Sequence, residues 1–571
     1  MTNSNLKDFD NFYANLAQSA YTGRPIKFPY ESQREKNRAL LNSGQSLYFD
    51  FSQDTKIYNK DKKEWEITPG GKHLPHNGRV YLQPDPDLRD TYKVTSIPVP
   101  DANGMRQDIR HKRYQKGLLT DDEAGFSAYY LTDTPTLTND TTKTYMTIRG
   151  SDAISKENWN DWVENDAKFA LNHIHTPQAK LATVGMKAKI AEMREKAPNA
   201  TMDITGHSLG TIVSAQGVAG LTDQELEKIG KVVLFDGPDT TKSLKKMGLS
   251  DEKIKKISEK IEYYVNPFDV VGMLNREHTI TKLPGDSDEP LKKPVGKVNV
   301  LVPLHYTQIA DPESSHDFGV FQSDGKGNLL TASEDFHPEL LRAGEKLARL
   351  IATTLDSLRA LGVDENVASN VLNAIMRGEF KIKAAIGYAV YENFTTEYSK
   401  IVEEARQESI KWDREAIPRY QEQLRNGNLT GEKRILVRAQ LLQTAAQLAN
   451  FDMEDKVKYV KTLLSDAKED IQNIVKETRS TAFDMVGYLS SSEVTNLLSG
   501  FDTTSFWDEG LASDTKTAAT SFLTQIEQLG ESLVKASGSF ETIDTDSAED
   551  FNNLLADVKQ TWRGKNVSPN G

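Results

Sequence analysis

Cysteine is absent from all 571 residues, which removes disulfides, thiolate metal sites and cysteine nucleophiles together and leaves packing to supply stability. No uninterrupted apolar stretch reaches membrane-spanning length, and Met1 to Asp10 lacks the basic and apolar regions of a cleaved signal peptide. The sequence therefore predicts a protein that is cytosolic or is exported without a cleaved signal. Positive charge is in deficit: 70 Lys and Arg stand against 83 Asp and Glu, and a formal net charge of −13 argues against a duplex nucleic-acid binder. Proline is scarce late in the chain, with Pro418 alone between Pro338 and Pro569. What is present, 37% apolar and 27% charged residues, suits a globular chain that buries a core, and the length exceeds what one core usually spans.

The order of residues divides this length. Phe9, Phe12, Tyr13, Leu16 and Tyr21 have helical spacing, which predicts an opening amphipathic helix over Leu6 to Tyr21, ended by Gly23 and Pro25. From Tyr30 to Gly117 the chain is polar, with apolar islands such as Val80-Tyr81-Leu82 that fit edge strands or an irregular flap. Strand and helix patterns then alternate: strands at Phe126 to Leu131 and Thr144 to Ile148, a helix from near Asn160, a strand at Ala200 to Ile204, a helix at Ser208 to Gly220, and strands at Lys231 to Phe235 and Ile261 to Val265. Such alternation predicts a parallel sheet covered by helices, the α/β class. After Pro338 three seams of helical period appear: Leu340, Gly344, Leu347, Ile351, Leu355 and Leu358; Val457, Val460, Leu464, Ala467, Ile471 and Ile474; and Phe522, Ile526, Leu529 and Leu533. The expected layout is an α/β domain over 1–334 and an elongated all-α domain over 335–571.

The chemistry centres on Gly206-His207-Ser208-Leu209-Gly210, a G-x-S-x-G sequence between a strand and a helix rich in small residues. A serine on such a tight turn is exposed to substrate, and glycines leave room around it. The free amides of the following helix start offer the N–H of Leu209 to an oxyanion. Serine needs a base, and the base needs an acid, in the chain order Ser, acid, His. Asp269, in a loop after Ile261 to Val265, fits as acid better than its rival Asp236, which sits one strand earlier. For the base the candidates are His278, His305, His316 and His337, and His316 is preferred because its loop leads into an alternating strand at Phe318 to Phe321 and a Gly-rich turn at Asp324 to Gly327. Arg149-Gly150-Ser151-Asp152, after the strand ending at Ile148, supplies Ser151 as second oxyanion donor. The bland alternatives are turn-capping aspartates, hydrogen-bonded surface histidines and an ordinary helix cap at Ser151. Nothing points to a metal or an organic cofactor.

Arg149-Gly-Ser-Asp152, Asn158-Trp-Asn-Asp-Trp162, Gly206-His-Ser-Leu-Gly210, Phe235-Asp-Gly-Pro238, Asp269 and His316 together resemble the class 3 lipases and their bacterial relatives over roughly the first 335 residues. Phe235-Asp-Gly-Pro238 departs from the Phe-Gly-x-Pro common there. The resemblance implies an α/β-hydrolase fold for the first domain, with Ser208 as nucleophile, Asp269 as acid, His316 as base, and Ser151 with Leu209 as oxyanion hole. A lipase domain followed by a cysteine-free helical domain is similar in layout to type VII-secreted lipase toxins with an LXG-like domain, and Phe540, Asp544 and Asp546 look like their tail signals. That likeness implies membrane glycerolipid substrates, small WXG-like helical partners, an immunity protein, and export without a cleaved signal peptide. A soluble thioesterase or short-chain esterase, or a secretion adaptor with a degenerate hydrolase domain, are the competing expectations.

Overall fold

Every residue of Phe126–Thr132, and all but the first of Thr201–His207, is buried; strands with that pattern need cover on both faces. The computed structural model describes residues 11–20, 43–59, 64–68, 70–101, 104–150, 176–276, 295–303, 306, 315–316, 318–323, 327–362, 371, 375, 385–426, 429 and 432–539. Two compact units divide the chain, 1–409 and 410–571.

The first unit is built on a mixed sheet. Among the described residues its strands are β1 (Leu47–Asp50), β4 (Arg79–Leu82), β5 (Arg89–Asp101), β6 (Gly104–Lys116), β7 (Thr120–Asp121), β8 (Phe126–Thr132), β9 (Lys143–Ile148), β10 (Thr201–His207), β11 (Ile229–Phe235), β12 (Ile261–Val265) and β13 (Lys297–Val300). β2 (Thr55–Asn59) and β3 (Glu64–Thr68) pair as a separate hairpin. From one edge the order runs β13-β12-β11-β10-β9-β8-β7-β6-β5, with β4 and then β1 branching from β8. The five strands from β9 to β13 are mutually parallel, in registers such as Ile204 with Met146 and Val232, and β8 runs antiparallel to β9. Parallel neighbours need crossovers, and here helices make them.

Helix α1 (Phe12–Ser19) begins at Asn11, whose side chain accepts from the Ala14 amide. Its Phe12 and Leu16 pack among Phe49, Leu131 and Tyr145, while Ala14 and Ala17 pack against Val233, Phe235 and Phe318. α2 (Pro177–Lys196) starts with proline at its first position, and α3 (Leu209–Ala219) is buried along its whole length; Gly217 lies against Ala182 and Met186 of α2. Four short helices follow: α4 (Asp223–Leu226), α5 (Thr241–Lys246), α6 (Asp251–Ser258) and α7 (Val270–Met273). α8 (Pro338–Ala360) buries Leu340, Gly344, Leu347, Ile351, Leu355 and Leu358, so that expected seam is its inner face. α9 (Ala385–Arg425) continues past the boundary between the units.

Among the described residues the second unit holds the end of α9, α10 (Glu432–Met485), α11 (Ser491–Leu497) and α12 (Glu509–Ser539). Ala416, Tyr420, Val437, Leu441 and Leu442 form its apolar cluster, with Trp412 and Leu533 against it.

Several expectations differ from this arrangement. The boundary expected at 334/335 falls inside the first unit, because α8 and the first part of α9 bury their apolar faces there. Phe318–Val320 is a 3-10 turn rather than a strand; its phenylalanine is drawn into the cluster around Phe235 and Phe321. On α12 the expected seam faces inward only in part: Leu533 packs against the cluster around Tyr420 and Leu441 and Ile526 is half-buried, whereas Phe522 and Leu529 are exposed and Gly530 is buried close to Ala446. On α10 Val457 is buried, but Ile474 is exposed and its neighbour Val475 is buried. The polar stretch before Gly117 is more ordered than its composition implies, with β4 holding Val80 to Leu82 and β5 and β6 forming a long hairpin. The helix expected from near Asn160 lies outside the described residues.

Candidate active site

The end of β10 turns directly into α3, and Ser208 is the turn. Its backbone sits at φ 56° and ψ −130°, a conformation costly for any residue with a side chain and one that recurs at functional turns. The flanking glycines are required by space: a Cβ on Gly206 would lie 2.7 Å from the Gly210 carbonyl, and one on Gly210 would lie 2.4 Å from the Ile148 carbonyl and 3.1 Å from the Gly150 nitrogen. The loop after β9 therefore passes hard against the start of α3. Ser208 itself is buried, and its Oγ makes no hydrogen bond among the described residues. The Ser208 carbonyl is occupied by the Thr211 amide at 3.0 Å and the Thr211 hydroxyl at 2.6 Å, which fixes the first turn. The amide of Leu209 belongs to the helix start, where N–H groups lack intrahelical acceptors.

Asp269 follows β12. Its carboxylate caps α7, accepting from the Val271 amide at 3.0 Å and the Gly272 amide at 2.6 Å, and its Oδ2 lies 2.9 Å from Nδ1 of His316. An acid held by backbone amides and bonded to imidazole Nδ1 fixes the tautomer and direction of the ring. His316 also meets the residue before Ser208: the two imidazole centroids are 4.7 Å apart, and Nε2 of His207 lies 3.0 Å from the His316 carbonyl. Of the five site residues expected from sequence, Ser208, Leu209, Asp269 and His316 gather at this end of the parallel strands. Ser151 lies outside the described residues, as do His278 and His305. His337 is elsewhere, buried at the start of α8 and bonded to Glu339 at 2.7 Å.

Asp236, the rival acid, is also here, at the end of β11 with φ 44°. Its Oδ1 accepts from the Asn266 amide at 2.7 Å, while Oδ2 has no hydrogen-bond partner among the described residues. Burial, and then the nearby charge of Asp269, push its carboxyl well above the usual carboxylate range. Burial, with His316 adding to it, pushes His207 the other way, so that imidazole is held neutral. One atom each of His207, Asp236 and His316 lie within 4.8 Å of one another, a spacing that could offer three donors to a cation, although Nδ1 of His316 is already given to Asp269.

Sequence reasoning missed Arg276. The side chain is fully buried behind the acid loop, donating to the carbonyls of Gly272 and Gly237 at 2.7 Å each and lying over the Tyr263 ring at 4.5 Å. Burial pulls its pKa down, and Asp239, Tyr263, Asp236 and Asp269 pull it up. It supplies a positive charge among three buried acids. No motif marks it; an arginine seven positions after the acid has no pattern of its own.

This geometry is that of a serine hydrolase, and comparison with known proteins narrows it. The family model Cutinase matches residues 132–278. The protein is a carboxylic ester hydrolase. The matched part of this ester hydrolase contains Ser208, Asp236 and Asp269 and stops before His316. No curated protein and no solved structure matches the chain.

Proposed function

We propose that the enzyme cleaves acyl esters of membrane glycerolipids with Ser208 as nucleophile, His316 as base and Asp269 as the acid that orients it. The observation that carries this reading is the 2.9 Å bond between Asp269 Oδ2 and His316 Nδ1 beside the strained turn of Ser208. Ser208 Oγ attacks the ester carbonyl carbon as its proton passes to His316. The oxyanion formed is met by the Leu209 amide and by Ser151. Collapse breaks the acyl–oxygen bond, and the departing alcohol takes the proton from His316. Water, deprotonated by the same imidazole, then releases the fatty acid and restores Ser208.

The finer reading follows the sequence layout: a lipase toxin exported by a type VII-like route without a cleaved signal, with the later helices acting as an LXG-like region that binds small WXG-like helical proteins and with an immunity protein guarding the producer. What supports partner binding is apolar surface on α10 and beyond it, where Tyr459, Leu463, Met485 and Tyr488 are exposed. No helix among the described residues is long and apolar enough to cross a membrane. The test is incubation with total bacterial lipid and identification of what is released. Free fatty acids from the native enzyme and none from Ser208→Ala are expected. Turnover of short soluble esters and thioesters with lipids untouched would overturn the lipid reading.

A further inference from the structure

The acid and base loops do not hold their positions by themselves. Asn266, at the start of the acid loop, donates from Nδ2 to the carbonyl of Ser315 at 2.7 Å, so the two loops are tied on either side of the Asp269–His316 pair. A third element completes the tie, and it comes from the helical part of the chain. Tyr398 of α9 is fully buried, and its hydroxyl donates to the carbonyl of Phe268 at 2.8 Å across 130 residues of sequence. The side chain of Ser315, one residue before His316, lies beside the same phenol. The Tyr398 phenol therefore stands between the residue before the acid, which it bonds, and the residue before the base.

A second arm reaches the same loop. The ring of Phe268 lies 4.8 Å from that of Tyr306, whose hydroxyl bonds to Ser409 of α9. Ser409 in turn donates to Glu339 at 2.6 Å in the first turn of α8, where Glu339 is paired with His337. Phe268 is thus held through its carbonyl by Tyr398 and through its ring by a chain of buried polar groups from α8 and α9. Such networks are stiff when every member is satisfied, and a cut at one point leaves buried polar atoms without partners.

We propose that Tyr398 is a positioning residue of the hydrolase, its hydroxyl setting the Asp269 and His316 loops in register, so that the catalytic unit extends through the start of α9. The inference rests on the reading of Asp269 and His316 as acid and base. A displacement of about 1 Å in a catalytic constellation costs on the order of a hundredfold in rate, which is the scale of effect at stake.

The test uses the full chain and a soluble p-nitrophenyl ester. Tyr398→Phe keeps the ring and removes the bridging oxygen; kcat should fall roughly 10- to 100-fold with KM within about twofold of native, since substrate binding is not what the bridge serves. Ser315→Ala should give a smaller fall in kcat, and the double variant should be little worse than Tyr398→Phe alone because both remove one bridge. Leu347→Ala, a core change in α8, serves as the control for lost stability and should lower the melting temperature without changing kcat per folded molecule. If Tyr398→Phe and Ser315→Ala both keep kcat within about twofold while Asp269→Asn is inactive, the positioning role is overturned and the bonds are structural only. If Asp269→Asn is itself nearly native, the acid assignment fails instead. Should Tyr398→Phe not fold, the kcat of Ser315→Ala decides the matter.

Discussion

The sheet end around Ser208 and the outer surface of α10 break the ordinary rule of burial in opposite directions. In the first unit polar groups go inside: Ser208, His207, Asp236, Asp269 and Arg276 are all buried, as are Phe235, Phe268 and Phe318. In the second unit apolar groups stay outside, with Tyr459 64% exposed, Met485 80% and Tyr488 fully exposed. Buried polar residues and large exposed apolar ones are the exceptions worth explaining, since both cost free energy unless something uses them. The first kind points to chemistry in a water-poor site. The second is the surface that the proposed helical partner would cover.

The comparison is sharpened most by removing the reacting groups. Ser208→Ala and His316→Ala should each lower kcat by about 10⁴-fold or more, because members of such a unit fail together; initial rates on a soluble ester, with circular dichroism to show that folding is kept, check this. Asp269→Asn should cost on the order of 10³- to 10⁴-fold through a misoriented imidazole. Asp236→Asn should leave the rate within several-fold of native, and the ratio of the two variants' rates tests which buried carboxyl works as an acid.

Asp236 also makes a prediction about stability. Its folded pKa is raised, so the stability it allows is present below about 3.9, the value of an unfolded aspartate, and is lost as pH climbs toward the folded value. Asp236→Asn should therefore melt higher than the native protein at neutral pH, with the gap closing as pH falls toward 4; equal melting temperatures at every pH would show that the carboxyl is not held neutral.

Gly210→Ala should destabilise the first unit by about 1 to 3 kcal/mol, since the new methyl group meets the Ile148 carbonyl, and urea titration measures it. The smallest effect on folding is expected on α10. Tyr459→Ser and Leu463→Ser should each change stability by no more than about 0.5 kcal/mol and leave hydrolysis unchanged, yet weaken capture of a small helical partner. If partner binding is untouched, the exposed apolar surface is not the docking face and the contrast between the two regions loses one side.

Much of the parallel sheet was legible because its strands carry apolar runs bounded by turns, and Ile261 to Val265 was read with the same limits that the structure gives. The turn at Ser208 was legible because steric need, rather than packing, dictates its glycines. Legibility failed where tertiary contact decides. Phe318 carries a strand-like alternation, but burial against Phe235 and Phe321 winds the chain into a tight turn. The seam on α12 was right at Ile526 and Leu533 and wrong at Phe522 and Leu529, because helical period gives a repeat and not the phase at which a neighbouring helix meets it. The same limit hid the contacts behind the inferred positioning role of Tyr398. A chain ending near Ser333 is expected, from motif positions alone, to hydrolyse esters; the bonds from Tyr398 and Ser409 mark no motif and lie beyond that point. On the positioning role inferred for Tyr398, that shortened chain folds poorly or turns over slowly.

The 130-residue span between Phe268 and Tyr398 also has a temporal meaning. During synthesis the parallel strands, Ser208, Asp269 and His316 are all made well before α9 exists, and closing so long a loop is entropically costly and slow. On the proposed roles of these residues, a nascent chain thus carries a nucleophile whose helpers are not yet braced. On the positioning role inferred for Tyr398, hydrolytic competence is expected only after the long helix has docked, which would delay ester cleavage until most of the polypeptide has been made.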